Sequence, residues 1–336
     1  MKKIDVVHFL LKNLSDVPQR ETATAFAPTN IALCKYWGKR NQELNLPVTS
    51  SLSVSLNQKG AAVKLKINSR AHDVIFLNDQ AVDLNSEFSQ KLISFLNLFR
   101  AKQKWNVDIE IKSNIPIAAG LASSACGFAS LVLALNELFQ WNLSSEKLSI
   151  LARLGSGSAS RSIEHGFIEW HAGKEETGMD SYSKKLAAEW PELCVGLCIV
   201  NDQQKEISSR EAMQRTIETS QLYSAWPEKV SHDLISLKEA IASHDFELLG
   251  RTAESNAIAM HATMMDAHPP IIYSSSKTLH MMQKIWELRA EGLSVFFTQD
   301  AGPNLKLLFL KKDEEVLKEK FSMMEIIEPF VMPACF

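Results

Sequence analysis

Hydrophobic positions along the chain fall into two periods, and each predicts its own kind of element. Val107, Ile109 and Ile111 alternate with Asp108, Glu110 and Lys112, the period of a strand. Phe128, Leu131, Val132, Leu135, Leu138 and Phe139 follow at helical spacing, so a strand, a glycine-bearing loop and a helix succeed one another. Upstream, Val54 and Leu56 alternate with serines, and Val63, Leu65 and Ile67 alternate with polar residues, which predicts strands. Another short strand over 74–77 closes on the turn pair Asn78-Asp79. Leu148, Leu151, Ala152 and Leu154 predict a helix that stops at Gly155. After a polar stretch over 171–192, CVGLCIV is a buried strand. Helical patterns then cover 230–265 and 273–290, before strands at 293–298 and 305–310. Ile4, Val7, Leu11 and Leu14 place a short amphipathic helix in the leader, where it would pack against the body or a partner.

The loop and its flanks read PIAAGLASSACGFASL over 116–131. Small residues let a backbone approach a ligand closely, and a helix N-terminus offers unpaired N–H groups and the positive end of its dipole to an anion. Ser123 and Ser124 add hydroxyls that can donate to phosphate or ligate Mg²⁺. The same residues can also do no more than cap a buried helix. Neither the GxxxxGK[ST] pattern nor GxGxxG is present in the loop.

Three other segments carry candidate chemistry. Lys35, Lys39 and Arg40 surround Tyr36 and Trp37, a mixture that suits either a solvated loop or a partly enclosed anion site. GSGSASR over 155–161 combines small residues with Arg161, a planar fork for carboxylate or phosphate; a tight turn with a structural ion pair is the alternative. Its G-x-G-x-x-S spacing follows a helix and is no dinucleotide site. Asp300 precedes Gly302-Pro303 beside a buried strand, as a turn former or as a fixed carboxylate. His261 is expected to be a satisfied structural histidine.

Composition narrows the class. The 336 residues are 46% hydrophobic and 22% charged, enough for one large or two medium globular domains. A net charge of −3 leaves no general basic field, so nucleic acid is not an expected partner. Five cysteines without CxxC spacing argue against a disulfide framework or zinc site and fit a reduced compartment. No apolar run is long enough to span a bilayer, and charged residues interrupt the first segment, so neither a membrane nor secretion is expected.

Pro116-x-x-x-Gly120-Leu121-x-Ser123-Ser124-Ala125 resembles the nucleotide-phosphate loop of the GHMP kinases. APTNIALCKYWGKRNQELNLPVTSSLSVSL, over 27–56, resembles the N-terminal signature of the diphosphomevalonate decarboxylases, and DAGPN from Asp300 and MHAT from Met260 also resemble that family. The likeness can be followed from residue 23 to about 310; the Cys126 position, where relatives have Ser or Ala, departs from it without disturbing a small-residue loop.

The resemblance implies an α+β fold in two lobes. A ribosomal S5 domain 2-like lobe over 23–192 would follow an extension over 1–22, and a ferredoxin-like lobe over 193–336 would complete the chain, with the site between the lobes. It implies ATP-dependent decarboxylation of mevalonate 5-diphosphate in the cytoplasm, by a homodimer, with Mg²⁺. By the same likeness Gly120, Leu121, Ala122, Ser123, Ser124, Ala125 and Lys205 would bind nucleotide, with Ser124 on the metal. Tyr36, Lys39, Ser156, Gly157, Ser158 and Arg210 would hold the substrate diphosphate and Arg161 its carboxylate, while Asp300 would face the 3-hydroxyl with Lys35 nearby. A phosphomevalonate decarboxylase, a mevalonate 3-kinase and a non-catalytic nucleotide-binding module are the alternatives on the same scaffold.

Overall fold

The structure, a computed structural model, describes residues 1–100, 105–115, 123–199 and 207–331. The chain opens with α1 (Lys3–Leu11) and β1 (Thr22–Cys34), then a small hairpin of β2 (Lys39–Asn41) and β3 (Leu46–Pro47). β4 (Ser51–Asn68), β5 (Val74–Leu77), β6 (Gln80–Ala81), α2 (Glu87–Leu96), β7 (Asn106–Ser113), α3 (Ser123–Phe139), α4 (Ser145–Gly155), β8 (Phe167–Trp170) and β9 (Ser183–Lys185) complete the first lobe. Its sheet runs β6-β5-β7-β4-β8-β9. β1 lies along one edge of β4, while β7 and β8 share the other. α3 packs on β1 and β4 and is buried nearly all round, which is why its sequence is apolar and small rather than amphipathic.

The second lobe contains β10 (Leu193–Cys198), α5 (Ser209–Thr219), α6 (Trp226–Ser243), α7 (Phe246–Met265), α8 (Ser276–Ala290), β11 (Val295–Gln299), β12 (Leu305–Leu310), α9 (Glu314–Lys320) and β13 (Glu325–Ile327). Its antiparallel sheet has the order β11-β12-β10-β13. Successive residues serve different cores. Phe296 and Leu308 join the large cluster shared with the first lobe, whereas Val295, Phe297, Leu307 and Phe309 pack in a second cluster with Ile285, Leu288 and Leu317. Burial on both faces accounts for the unbroken apolar runs in these strands. The expected two-lobed α+β class is the one observed.

Several elements differ from the sequence expectation for identifiable reasons. The alternating segments around 54–56 and 63–67 are one strand, β4, whose alternation lapses at an irregularity where the pairing with β1 shifts between Pro28 and Asn30. β1 escaped detection because it is buried at every position from Ala27 to Cys34 and so shows no alternation. The helical pattern over 230–265 is two helices. His244 adopts a left-handed conformation (φ 55°) and the Asp245 carboxylate caps α7 by accepting from the Leu248 N–H at 3.0 Å. In α1 the buried residues are Val6 and Val7, while Leu14 lies past the end of the helix and is exposed. All four described cysteines are buried and free, and among the described residues no helix is long and apolar enough to cross a membrane.

α7 ties the lobes together by packing on β1 and β11. At Gly250 a Cβ would run into the Phe296 ring. That ring is 1% exposed, meets Phe246 at 5.7 Å and lies 3.9 Å under the Arg289 guanidinium. Gly→Ala within a helix ordinarily gains about 1 kcal/mol. Here overpacking reverses the sign, and Gly250→Ala is expected to cost about 1–3 kcal/mol in a reversible denaturant melt; a gain in stability would contradict the packing described.

Candidate active site

A cleft of about 1320 Å³ lies where the lobes meet. Single small-molecule sites commonly measure about 300–1,000 Å³, so this one has room for two reactants. Lys35 and Tyr36 reach it from the end of β1, Lys39 from the start of β2, Arg161 from the turn after α4, Arg210 from α5, and Asp300 from the end of β11.

Asp300 is the centre of the arrangement. Its carboxylate accepts from Lys35 Nζ at 2.8 Å through Oδ1 and pairs with Lys306 Nζ at 3.3 Å through Oδ2. Both lysine side chains are 2% exposed, whereas Asp300 keeps 27% of its surface toward the cleft. Burial pushes the Asp300 carboxyl up, but the two ammonium groups outweigh it and hold the group well below the usual carboxylate range. Burial also pulls the Lys35 ammonium down, against the opposing pull of Asp300.

The backbone beneath this pair is fixed from several sides. The Asp300 carbonyl accepts from the Gly302 N–H at 2.7 Å and lies 3.1 Å from His261 Nε2. Burial lowers the His261 pKa to about 4, so at neutral pH the ring is uncharged and Nε2 must carry the proton it donates. His261 is thus the satisfied histidine expected from sequence, although what it satisfies is Asp300. Lys35 is held equally firmly. Its N–H donates to Asn256 Oδ1 at 2.8 Å, its Nζ donates to the Ala32 carbonyl at 2.8 Å, and Asn256 Nδ2 donates to Asp233 at 2.7 Å.

Arg161 is 3% exposed and donates to Ser51 Oγ at 2.7 Å and Asn30 Oδ1 at 3.3 Å, with Trp170 stacked at 5.9 Å. No carboxylate among the described residues forms an ion pair with it. Burial lowers its pKa to about 10, which leaves it charged at neutral pH. A buried, charged guanidinium satisfied only by neutral acceptors is an incomplete anion site. Tyr36 lies beside it, edge-on to Trp170 at 4.8 Å, and its buried hydroxyl has no hydrogen-bond partner among the described residues. Gly157 permits that placement, since a Cβ there would come within 2.7 Å of the Tyr36 hydroxyl.

On the other side, Ser123 and Ser124 are exposed in the first turn of α3. Ser124 Oγ lies 3.3 Å from Ser156 Oγ, which lies 3.2 Å from Ser158 Oγ, so a row of hydroxyls crosses the cleft floor. Lys39 donates to Asn45 Oδ1 at 2.7 Å, and burial followed by the nearby Arg210 and Lys3 lowers its pKa to about 8. Ala125 is wholly buried and offers the cleft no side chain. Gly120, Leu121, Ala122 and Lys205 lie outside the described residues.

Sequence reasoning missed Lys306, Asn256, Asn30 and the cleft-lining face of α2 with Phe95. A signal for α2 existed, since Ser86 caps it by accepting from the Ser89 N–H at 3.2 Å and Leu92, Phe95 and Leu96 follow at helical spacing. Lys306 carried no such signal, because one lysine in an apolar strand is ordinarily a solvent-facing residue.

The two-lobed sheets and the cleft between them define the class as a GHMP kinase fold. Residues 27–183 match the diphosphomevalonate decarboxylase-like N-terminal domain, and residues 195–330 match the mevalonate 5-diphosphate decarboxylase C-terminal domain. The diphosphomevalonate decarboxylase of Saccharomyces cerevisiae is 35% identical over 319 residues, spanning 88% of this chain and 80% of the relative. Among solved structures, mevalonate diphosphate decarboxylase from Staphylococcus aureus superposes with a TM-score of 0.87 at 35% identity, covering 93% of this chain and 96% of the other. A complex of MDDEF with MVAPP, AMPPCP and magnesium superposes with a TM-score of 0.84 at 40% identity, covering 92% and 97%. The chain belongs to the diphosphomevalonate decarboxylase family.

The paired lysines generate a pH prediction. A carboxyl depressed by two cations stays ionised until the pH falls through its lowered pKa, and removing one cation raises that point. In Lys306→Met the Asp300 carboxyl, followed by the carbon-13 shift of labelled aspartate, is therefore expected to titrate closer to the ordinary carboxylate range than in the wild type. The same titration in the wild type and a folded variant would show that Lys306 does not act on Asp300.

Proposed function

We propose that this chain carries out the ATP-dependent decarboxylation of mevalonate 5-diphosphate to isopentenyl diphosphate. The observation that carries the reading is an ionised Asp300 facing the cleft from between two buried lysines, in company with an Arg161 that has no carboxylate partner among the described residues. The names of the S. cerevisiae and S. aureus relatives and the ligands of the MDDEF complex support it.

Each residue has a role consistent with its surroundings. Arg161 receives the substrate carboxylate, and Tyr36, Lys39, Ser156, Gly157, Ser158 and Arg210 the diphosphate. Asp300 accepts a hydrogen bond from the 3-hydroxyl and aims its oxygen at the γ-phosphorus. Because its proton affinity is low, Asp300 orients the hydroxyl and stabilises developing charge rather than taking the proton beforehand. As the 3-oxygen bonds to the γ-phosphorus, the bond from that phosphorus to ADP breaks and the hydroxyl proton passes to an oxygen of the transferred phosphoryl group, which makes the 3-oxygen part of a good leaving group. When the C3–O bond breaks, the electrons of the C1–C2 bond form the C2=C3 alkene, and the carboxylate leaves Arg161 as neutral CO₂. Lys35 is placed to face the departing phosphate.

The site also fits a nucleotide with its metal. Among the described residues no group of three His, Cys, Asp or Glu could hold a metal ion. The donors that line the cleft at the start of α3, the Ser123 and Ser124 hydroxyls, suit Mg²⁺, which takes few protein ligands and binds mainly through phosphate oxygens and water. The exposed Ser123 and Ser124 hydroxyls at the N-terminus of α3 would hold the phosphates, with Ser124 on the metal, and the bound Mg²⁺ would supply charge neutralisation for phosphoryl transfer. Four buried, free cysteines fit the cytoplasm as the site of action.

The test is an assay with Mg·ATP that follows ADP and CO₂ together. Equal release of both from mevalonate 5-diphosphate is expected, and Asp300→Asn should lower kcat by about 10³-fold. Preference for mevalonate 5-phosphate, ADP without CO₂, or an active Asp300→Asn enzyme would each replace this reading.

A further inference from the structure

The leader reaches the cleft. α1 is anchored by Val6 and Val7, which are 0% and 1% exposed in the main core, and it packs against α4. Its first turn is fastened at both ends, because Lys2 N–H donates to Asp5 Oδ2 at 2.7 Å and Lys3 N–H donates to Glu43 Oε1 at 3.2 Å. The anchored turn leaves Lys3 half-buried and lining the same cleft as Lys39, Asn45 and Arg210. The match to the family's N-terminal domain begins at residue 27, so Lys3 lies outside the residues that match covers.

The local charge is unbalanced. Lys39 hydrogen-bonds the neutral Asn45 amide, and among the described residues neither Lys3, Lys39 nor Arg210 forms an ion pair with a carboxylate. Burial is the main cause pulling Lys3 down; Glu43 opposes it, and Arg210 adds to it. Lys3 and Arg210 in turn bear on Lys39. Three cations that repel one another across one part of a cleft form a receptor for a polyanion.

We infer that Lys3 is a third cation of the subsite for the substrate's terminal phosphates, acting with Lys39 and Arg210. The inference rests on the proposed reaction for its substrate, but the subsite can be probed without turnover. Lys3→Gln is the variant, and Lys2→Gln, on an exposed residue outside the cleft, is the control. In Lys3→Gln, KM for mevalonate 5-diphosphate is expected to rise about five- to tenfold with kcat within about twofold, as for loss of one charge-assisted contact. Inorganic pyrophosphate, titrated calorimetrically, should bind more weakly by a similar factor, and its affinity should depend less steeply on salt. Lys2→Gln should match the wild type in each measurement.

Unchanged KM and pyrophosphate affinity in Lys3→Gln would overturn the inference while leaving the reaction intact. Lys3-dependent pyrophosphate binding by a wild type that does not turn over mevalonate 5-diphosphate would keep the subsite and remove the proposed reaction. A wild type that neither binds pyrophosphate nor turns over would overturn both.

Discussion

Two buried ammonium groups share one carboxylate, and the rest of the molecule is arranged to keep them there. Lys35 and Asp300 are separated by 265 residues in sequence yet lie 2.8 Å apart, with Lys306 completing the set. Desolvating three charges is expensive, and the expense is tolerable only if every partner is held in place. The neutral His261 ring fixes the Asp300 carbonyl, Asn256 fixes the Lys35 backbone, and Thr298 Oγ1 donates to the same Ala32 carbonyl that accepts from Lys35, at 3.3 Å. These contacts come from α7, β11 and the end of β1, so the site also forms part of the seam between the lobes.

Among the described residues the buried charges at this site do not cancel. Two lysines and Arg161 surround Asp300 there, beside a Tyr36 hydroxyl for which the described residues supply no partner. In a folded protein such groups are costly unless a ligand completes them. The geometry therefore favours anions that bring their own acceptors. It also separates two tasks, because the Lys35–Asp300–Lys306 set is internally paired whereas Arg161 is paired with no carboxylate among the described residues. The first is suited to acting on a reacting hydroxyl, the second to gripping a group that must later be released.

What could be read from the sequence follows from how each element is buried. β7 was legible because its buried and half-buried positions alternate, and the helix ending at Gly155 because its apolar residues keep helical spacing although every residue from Leu148 to Leu154 is buried. β1 was not, because it is enclosed on both faces and carries small residues and Pro28. In the site, Lys35, Arg161 and Asp300 stood out through the company they keep in short motifs. Lys306 did not, since its position in LKLLFL looks like the polar half of an alternation. The face it shares with Leu308 turns toward the first lobe, and Thr298 is paired with it across the sheet. Only the tertiary arrangement turns that lysine inward. The bend at His244 was equally hidden, because a left-handed residue other than glycine leaves little trace in composition.

The 265-residue span between Lys35 and Asp300 also has a meaning during synthesis. A chain emerging from the ribosome presents β1, β4 and α3 long before Asp300 exists. The groups that enclose Lys35 come from α7, β11 and Asp300, so a first lobe folding alone leaves that lysine on an open seam and its last packing step waits for the second lobe. A nascent or prematurely terminated chain that stops before residue 300 thus presents that unfinished seam to chaperones and proteases. Catalytic competence and resistance to degradation arrive together.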